Sequence, residues 1–221
     1  MILPNMTALE VLRHAQKDIP AVNRKFMRAM ELLTRRQLKG DRTAILTEIH
    51  PYVSPARNNW FVVLRCSKAG MQVFHYCWFR GADGRMRAIY VRPEGVPSFY
   101  YTKHVFDRYS ARFSPDVSAE ERLRQFFLEN HMWASHDADP EAEEDEEIIS
   151  VNQGWLFGTR NEEDIDELIH LTTFVDQGHF FPDQHKQEER LEFERLLGGM
   201  SEGKRALLRR MREAGERGKM P

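Results

Sequence analysis

Three residues between 104 and 112 have the types and spacing to act on a phosphate. His104, Arg108 and Arg112 stand at i, i+4 and i+8, which places them on one stripe if the segment is helical. Tyr101 and Lys103 lie just before, at the start of that helix. Arginine offers a planar fork of donors to a phosphate, and histidine moves a proton near neutral pH. Helix-start amides favour an anion as well. These are the parts of metal-free RNA cleavage. A base takes the ribose 2′-OH proton, cations hold the charge on the phosphorane, and an acid protonates the leaving 5′ oxygen. The same residues also admit a structural use, with Arg108 and Arg112 paired to Asp107, Asp116 or the acidic stretch downstream.

Other groupings are weaker. Asp176, His179, Asp183 and His185, with His170 upstream, have the side chains of a divalent-ion site but follow no established ligand spacing. Cys66 and Cys77 sit in apolar, strand-like segments, where packing is the common role of a thiol. His75 shares the Cys77 face of its strand and reads as a hydrogen-bonded core histidine. Gly81-Ala-Asp-Gly84 is a turn and not a phosphate-cradling loop. No cofactor is implied.

The elements that must position these groups follow from pattern. Thr7-Ala-Leu-Glu10 is a capping box that starts a helix, expected to run to about Asp18. Pro20 suits a first helical turn, so a second helix is expected to restart there, with Val22, Phe26, Met30 and Leu33 on its apolar face. Residues 44–49, 60–66, 71–79 and 85–91 are rich in β-branched and aromatic types and predict strands, with Asp83-Gly84 as a hairpin turn. Met71–Phe79 is apolar on both faces, as a central covered strand would be. Thr102 is the expected N-cap of the His104 helix, and Ser118-Ala-Glu-Glu121 starts another, packing through Leu123, Phe126, Phe127 and Trp133. Short strands at 148–151 and 155–159 follow. A short helix capped by Asn161 and containing Ile165, Leu168 and Ile169 is expected next, then a strand over Leu171–Val175. Two C-terminal helices, 188–197 and 204–213, are expected around Gly198-Gly199.

Strands, a helix reading His-x3-Arg-x3-Arg, a second helix, then strands carrying Gly154, Gly158 and Leu171-Thr-Thr-Phe-Val175: over residues 42–176 this order resembles the barnase/RelE-type superfold of small RNases and toxins. The resemblance implies a curved antiparallel sheet. It implies that His104 is general acid or base, that Arg108 and Arg112 bind phosphate, and that Thr172 or Thr173 is a late polar contributor. It also implies RNA as partner, with an inhibitory protein as a further one. The chain departs from that pattern in its helical additions at both ends and in an acidic insertion.

The expectation is therefore an α+β protein. It has an N-terminal helical extension over 1–41, a mixed core with antiparallel sheet over 42–185, and a C-terminal helical hairpin and tail over 186–221. Terminal helices of this kind also suit oligomer formation. The net charge of −2 hides an asymmetry. Residues 1–112 hold 19 Lys and Arg against 8 Asp and Glu, whereas 113–185 hold 3 against 19. The stretch 136–147 carries eight acidic residues and no Lys or Arg. It is expected to be a loop that can mask the basic face in competition with RNA. Fourteen Phe, six Tyr and four Trp exclude bulk disorder. No run reaches the ~18–20 apolar residues of a membrane span, and two cysteines make no disulfide framework. A cytoplasmic protein is expected, acting as a metal-independent endoribonuclease of toxin or defence type. The competing expectation is a non-catalytic nucleic-acid- or protein-binding regulator that uses the same basic surface.

Overall fold

The computed structural model describes residues 1–40, 43–93, 95–113, 116–136, 146–160 and 167–176. The expected C-terminal hairpin, most of the acidic stretch, the Asn161 cap and His179, Asp183 and His185 lie outside them. The described residues form three helices and nine strands, an α+β fold. The long helix α1 (Ala8–Lys39) comes first, followed by the strands β1 (Leu46–Val53), β2 (Asn59–Ser67), β3 (Gly70–Arg80), β4 (Met86–Val91) and β5 (Ser98–Tyr101). Two shorter helices, α2 (Lys103–Phe113) and α3 (Ala119–Glu129), precede β6 (Trp133–His136), β7 (Glu146–Val151), β8 (Gly154–Thr159) and β9 (Leu168–Asp176).

All nine strands join one sheet in the order β1-β2-β3-β4-β5-β9-β8-β7-β6. Two antiparallel meanders meet at its centre, where β5 and β9 pair in parallel. Helix α1 covers one face through Val11, Leu12, Ala15, Val22, Phe26 and Leu33, against Trp60, Val62, Leu64, Cys77 and Ile89. Helices α2 and α3 cover the other face in a largely aromatic core that includes Tyr76, Tyr101, Phe106, Phe126 and Phe127. Alternation along β2 and β3 feeds both layers, as expected of central strands.

Helix α1 begins with the Thr7–Glu10 capping box, both reciprocal bonds present. It does not break at Pro20: a single helix replaces the expected pair. An interior proline costs about 3 kcal/mol. The buried stripe runs on one sheet face both before and after it, so a break would uncover one half. Pro20 and Gln16, whose carbonyl Pro20 cannot serve, are both exposed residues. At mid-helix, Asp18 is only 6% exposed. Its Oδ2 accepts from the Ser54 hydroxyl (2.5 Å), Asn58 Nδ2 (2.7 Å) and Trp60 Nε1 (3.3 Å). Asn58 Oδ1 in turn accepts from the Ile2 amide at 2.6 Å.

Three other expectations need correction. Leu168 and Ile169 belong to β9 and not to a helix, because they pair with Ser98 and Phe99 of β5. Trp133 begins β6, pairing with Val151, and does not extend the face of α3. Ser118 caps α3 by accepting from the Glu121 amide, as half of the expected box.

His75 is partly buried, with Nε2 2.8 Å from Asn23 Oδ1 on α1. Burial lowers its pKa to about 4 from the ordinary 6.5. Burial lowers that of His131 too. The folded state therefore resists a proton that the unfolded chain accepts. Stability should be full above pH 6.5 and decline as pH falls toward 4. In melting curves at pH 7 and pH 5, His75→Gln should lose less Tm between the two pH values than the parent protein. Equal losses would show that this ring does not contribute.

Candidate functional site

Helix α2 is held from both ends. Its start follows β5 directly, and the Thr102 amide donates to the Leu171 carbonyl of β9 at 3.0 Å. Farther along, Tyr109 and Phe113 lie edge-on to Phe174 of β9 (centroids 5.6 and 6.1 Å). Val105, Phe106 and Tyr109 are buried. With that face fixed inward, His104, Arg108 and Arg112 are turned to the exposed side. The structure thus brings these three together on one surface stripe. Their Cα positions step by about 6 Å along the axis, four residues at the helical rise.

The remaining predicted site residues fall elsewhere. Tyr101 is 3% exposed and packed among Phe106, Phe126 and Phe127, with centroids 5.4–6.1 Å away. Burial pushes its phenol far above its ordinary pKa, so it stands in the core and not at the stripe. Thr172 is the extra residue where the β8–β9 register shifts. Its hydroxyl donates to the Phe157 carbonyl at 3.3 Å. Gly158 accompanies this irregularity: a Cβ there would lie 2.7 Å from the His170 carbonyl oxygen. Arg112 Nε lies 3.5 Å from Asp176 Oδ2. His104 forms no hydrogen bond or ion pair with the described residues.

Lys103 turns toward the β3–β4 hairpin, where Nζ reaches Asp83 Oδ2 at 2.9 Å. Asp83 also receives Arg87 Nη1 at 2.8 Å and Nη2 at 3.1 Å. Hydrogen bonds from Arg87, then from Lys103, hold this carboxyl well below the usual range. Beside it, Arg85 Nη1 is 3.1 Å from both oxygens of Asp107. Arg80 donates to the Gly84 carbonyl at 3.1 Å. The basic stripe of α2 therefore continues onto a cationic hairpin tip, which the α2 spacing alone did not reveal. The visible signal was Arg80, Arg85 and Arg87 flanking the Asp83-Gly84 turn.

Thr102 is not a side-chain cap of α2, because its hydroxyl is buried without a hydrogen-bond partner. The Nε of Arg122, in the first turn of α3, is buried without one as well. Such a group costs about 1–3 kcal/mol when left unpaired.

The other chemical candidates among the described residues are held in place as structure. Cys66 and Cys77 are free and buried, and burial pushes the Cys77 thiol well above its ordinary value, away from the thiolate a nucleophile needs. His170 packs beside Tyr100, with centroids 5.3 Å apart. Among the described residues no group of three His, Cys, Asp or Glu comes together as a metal would require. No helix among them is long and apolar enough to cross a membrane. Comparison of the chain with family models, with curated proteins and with solved structures returns no match.

Proposed function

We propose that this protein binds the phosphate backbone of RNA on the outer stripe of α2 and does not cleave it. The observation that carries this reading is the common exposure of His104, Arg108 and Arg112 on a helix whose other side is locked into the core. Steps of about 6 Å match the scale of successive phosphates on an extended strand. The excess of basic residues over 1–112 supplies long-range attraction to a polyanion. Cleavage needs a second proton-moving group beside the first. Tyr101 is buried, and the Thr172 hydroxyl is directed to a backbone carbonyl. Among the described residues neither of these two groups stands ready beside His104, and this favours the binding form over the nuclease form. A reducing, cytoplasmic setting belongs to the same proposal, since both thiols are free.

The test is RNA affinity against salt concentration. Each phosphate contact to a single strand contributes about 0.7 to the log–log slope. Arg108→Ala should lower that slope by about 0.7 and weaken binding about tenfold at low salt. A slope unchanged by this substitution would remove α2 as the binding surface. Parallel incubation of RNA in EDTA addresses catalysis. Cleavage by the parent protein and not by His104→Ala would overturn the non-cleaving reading and establish a nuclease.

A further inference from the structure

Where the β3–β4 hairpin tip meets the first turns of α2 and α3, a pocket of about 130 Å³ remains. Its walls carry Arg80, Arg85, Lys103 and Arg122 against a single carboxylate, Asp107. Both Asp107 oxygens are already engaged by Arg85. Lys103 and Ala119, also in the lining, are the first residues of α2 and α3. Each helix start carries partial positive charge and amides without helical acceptors. Of the four cationic side chains, Lys103 also reaches Asp83 at 2.9 Å and Arg122 Nη2 donates to the Val117 carbonyl at 3.0 Å, yet the two helix starts and these side chains leave the small space with an excess of positive charge. Within the lining, Arg122 keeps a buried Nε–H with no acceptor. Buried polar groups are nearly always satisfied in native proteins, so the Arg122 Nε–H is available to an acceptor that enters the pocket.

We propose that this pocket binds one phosphate dianion, either free inorganic phosphate or the terminal phosphate of a monoester. Phosphate fits because it is small, tetrahedral and doubly charged, and because guanidinium forks match its oxygens. The pocket has room for one such group and none for a nucleoside attached to it, which would have to lie outside. The site does not rest on polymer binding by α2, and the two fail independently. Arg108→Ala is read by RNA affinity, and the pocket is read by phosphate alone.

Titration calorimetry with inorganic phosphate tests it. The parent protein should bind one equivalent with a Kd below about 1 mM. Arg122→Gln should weaken binding about tenfold or more, and Lys68→Gln, at the distant β2–β3 turn, should leave it unchanged. If Arg122→Gln fails to fold, Arg80→Gln serves in its place, because Arg80 is exposed and its loss leaves no buried group unpaired. The Arg122 Nε–H resonance should also shift on phosphate addition. A nucleoside 5′-monophosphate that competes more tightly than phosphate identifies a monoester as ligand, and equal affinity identifies the free ion. Absence of saturable binding up to about 10 mM phosphate would overturn the proposal. So would binding that neither arginine substitution moves.

Discussion

Asp18→Ala is expected to destabilise the protein by about 3–5 kcal/mol, read as a lower urea midpoint at unchanged slope. The Asp18 carboxylate oxygen is the common acceptor for Ser54, Asn58 and Trp60. Its removal strands three donors at once, and all three residues are at most 4% exposed. One buried, unpaired donor costs about 1–3 kcal/mol, and relaxation around a small cavity recovers part of the total. The damage is also architectural. Ser54 and Asn58 lie in the β1–β2 connection, and Asn58 further receives the Ile2 amide, so one carboxylate joins α1, the first hairpin and the chain start. Asp18→Asn keeps an acceptor but brings donors of its own toward donors, and should cost an intermediate amount. A loss below about 1 kcal/mol for the alanine variant would mean that water replaces the carboxylate.

Phe127→Ala should cost a similar amount, about 3–5 kcal/mol. Its ring is fully buried and stacked on Tyr76, centroids 4.0 Å apart at 18° between planes. It also meets Phe126 at 5.3 Å and Tyr101 at 5.4 Å. No flexible side chain among these can fill the space it would vacate. Phe127→Leu should cost markedly less, because volume is largely kept. Thermal melting of the pair separates cavity from chemistry, and equal shifts would refute the packing account. The effect has a functional arm as well. Phe127 anchors α3 to the sheet, and Arg122 is carried on the same helix. Phosphate affinity should therefore fall in Phe127→Ala even where the variant remains folded.

Much of the architecture is written in short stretches of the chain. The Thr7–Glu10 box, the Asp83-Gly84 turn and the doubly apolar β3 act through neighbours within a few residues, and each is realised in the structure. What escaped depends on distant partners. Residues Ser98–Tyr101 form a strand only because β4 and β9 flank them, and four residues carry no period of their own. Leu168 and Ile169 follow a helix-like sequence pattern but have a strand partner in space. Pro20 punctuates the sequence strongly, yet packing on both sides of it overrides the local preference. The same division holds for the site. The spacing of His104, Arg108 and Arg112 is local and predicts a shared stripe, which the exposed face of α2 presents. The pocket draws Arg80, Lys103 and Arg122 from three separate elements, and no single segment announces it. Tyr101 lies close to the stripe in sequence but points the other way, since β5 ends in the core.

The parallel pairing of β5 with β9 bears on how the chain reaches this state. Each meander is built from near neighbours and can zip from its own turns. The central seam joins Ser98 to Leu168, seventy residues apart. Closing so long a loop is an entropic cost met before any seam contact forms, and pairings of this kind set slow folding rates. The first five strands, with α1 across them, can thus assemble during synthesis while β9 is still to come. Until then β5 is an open edge, and α2 lacks the strand on which it rests. The surface that carries His104 and Arg108 is consequently among the last parts of the molecule to mature.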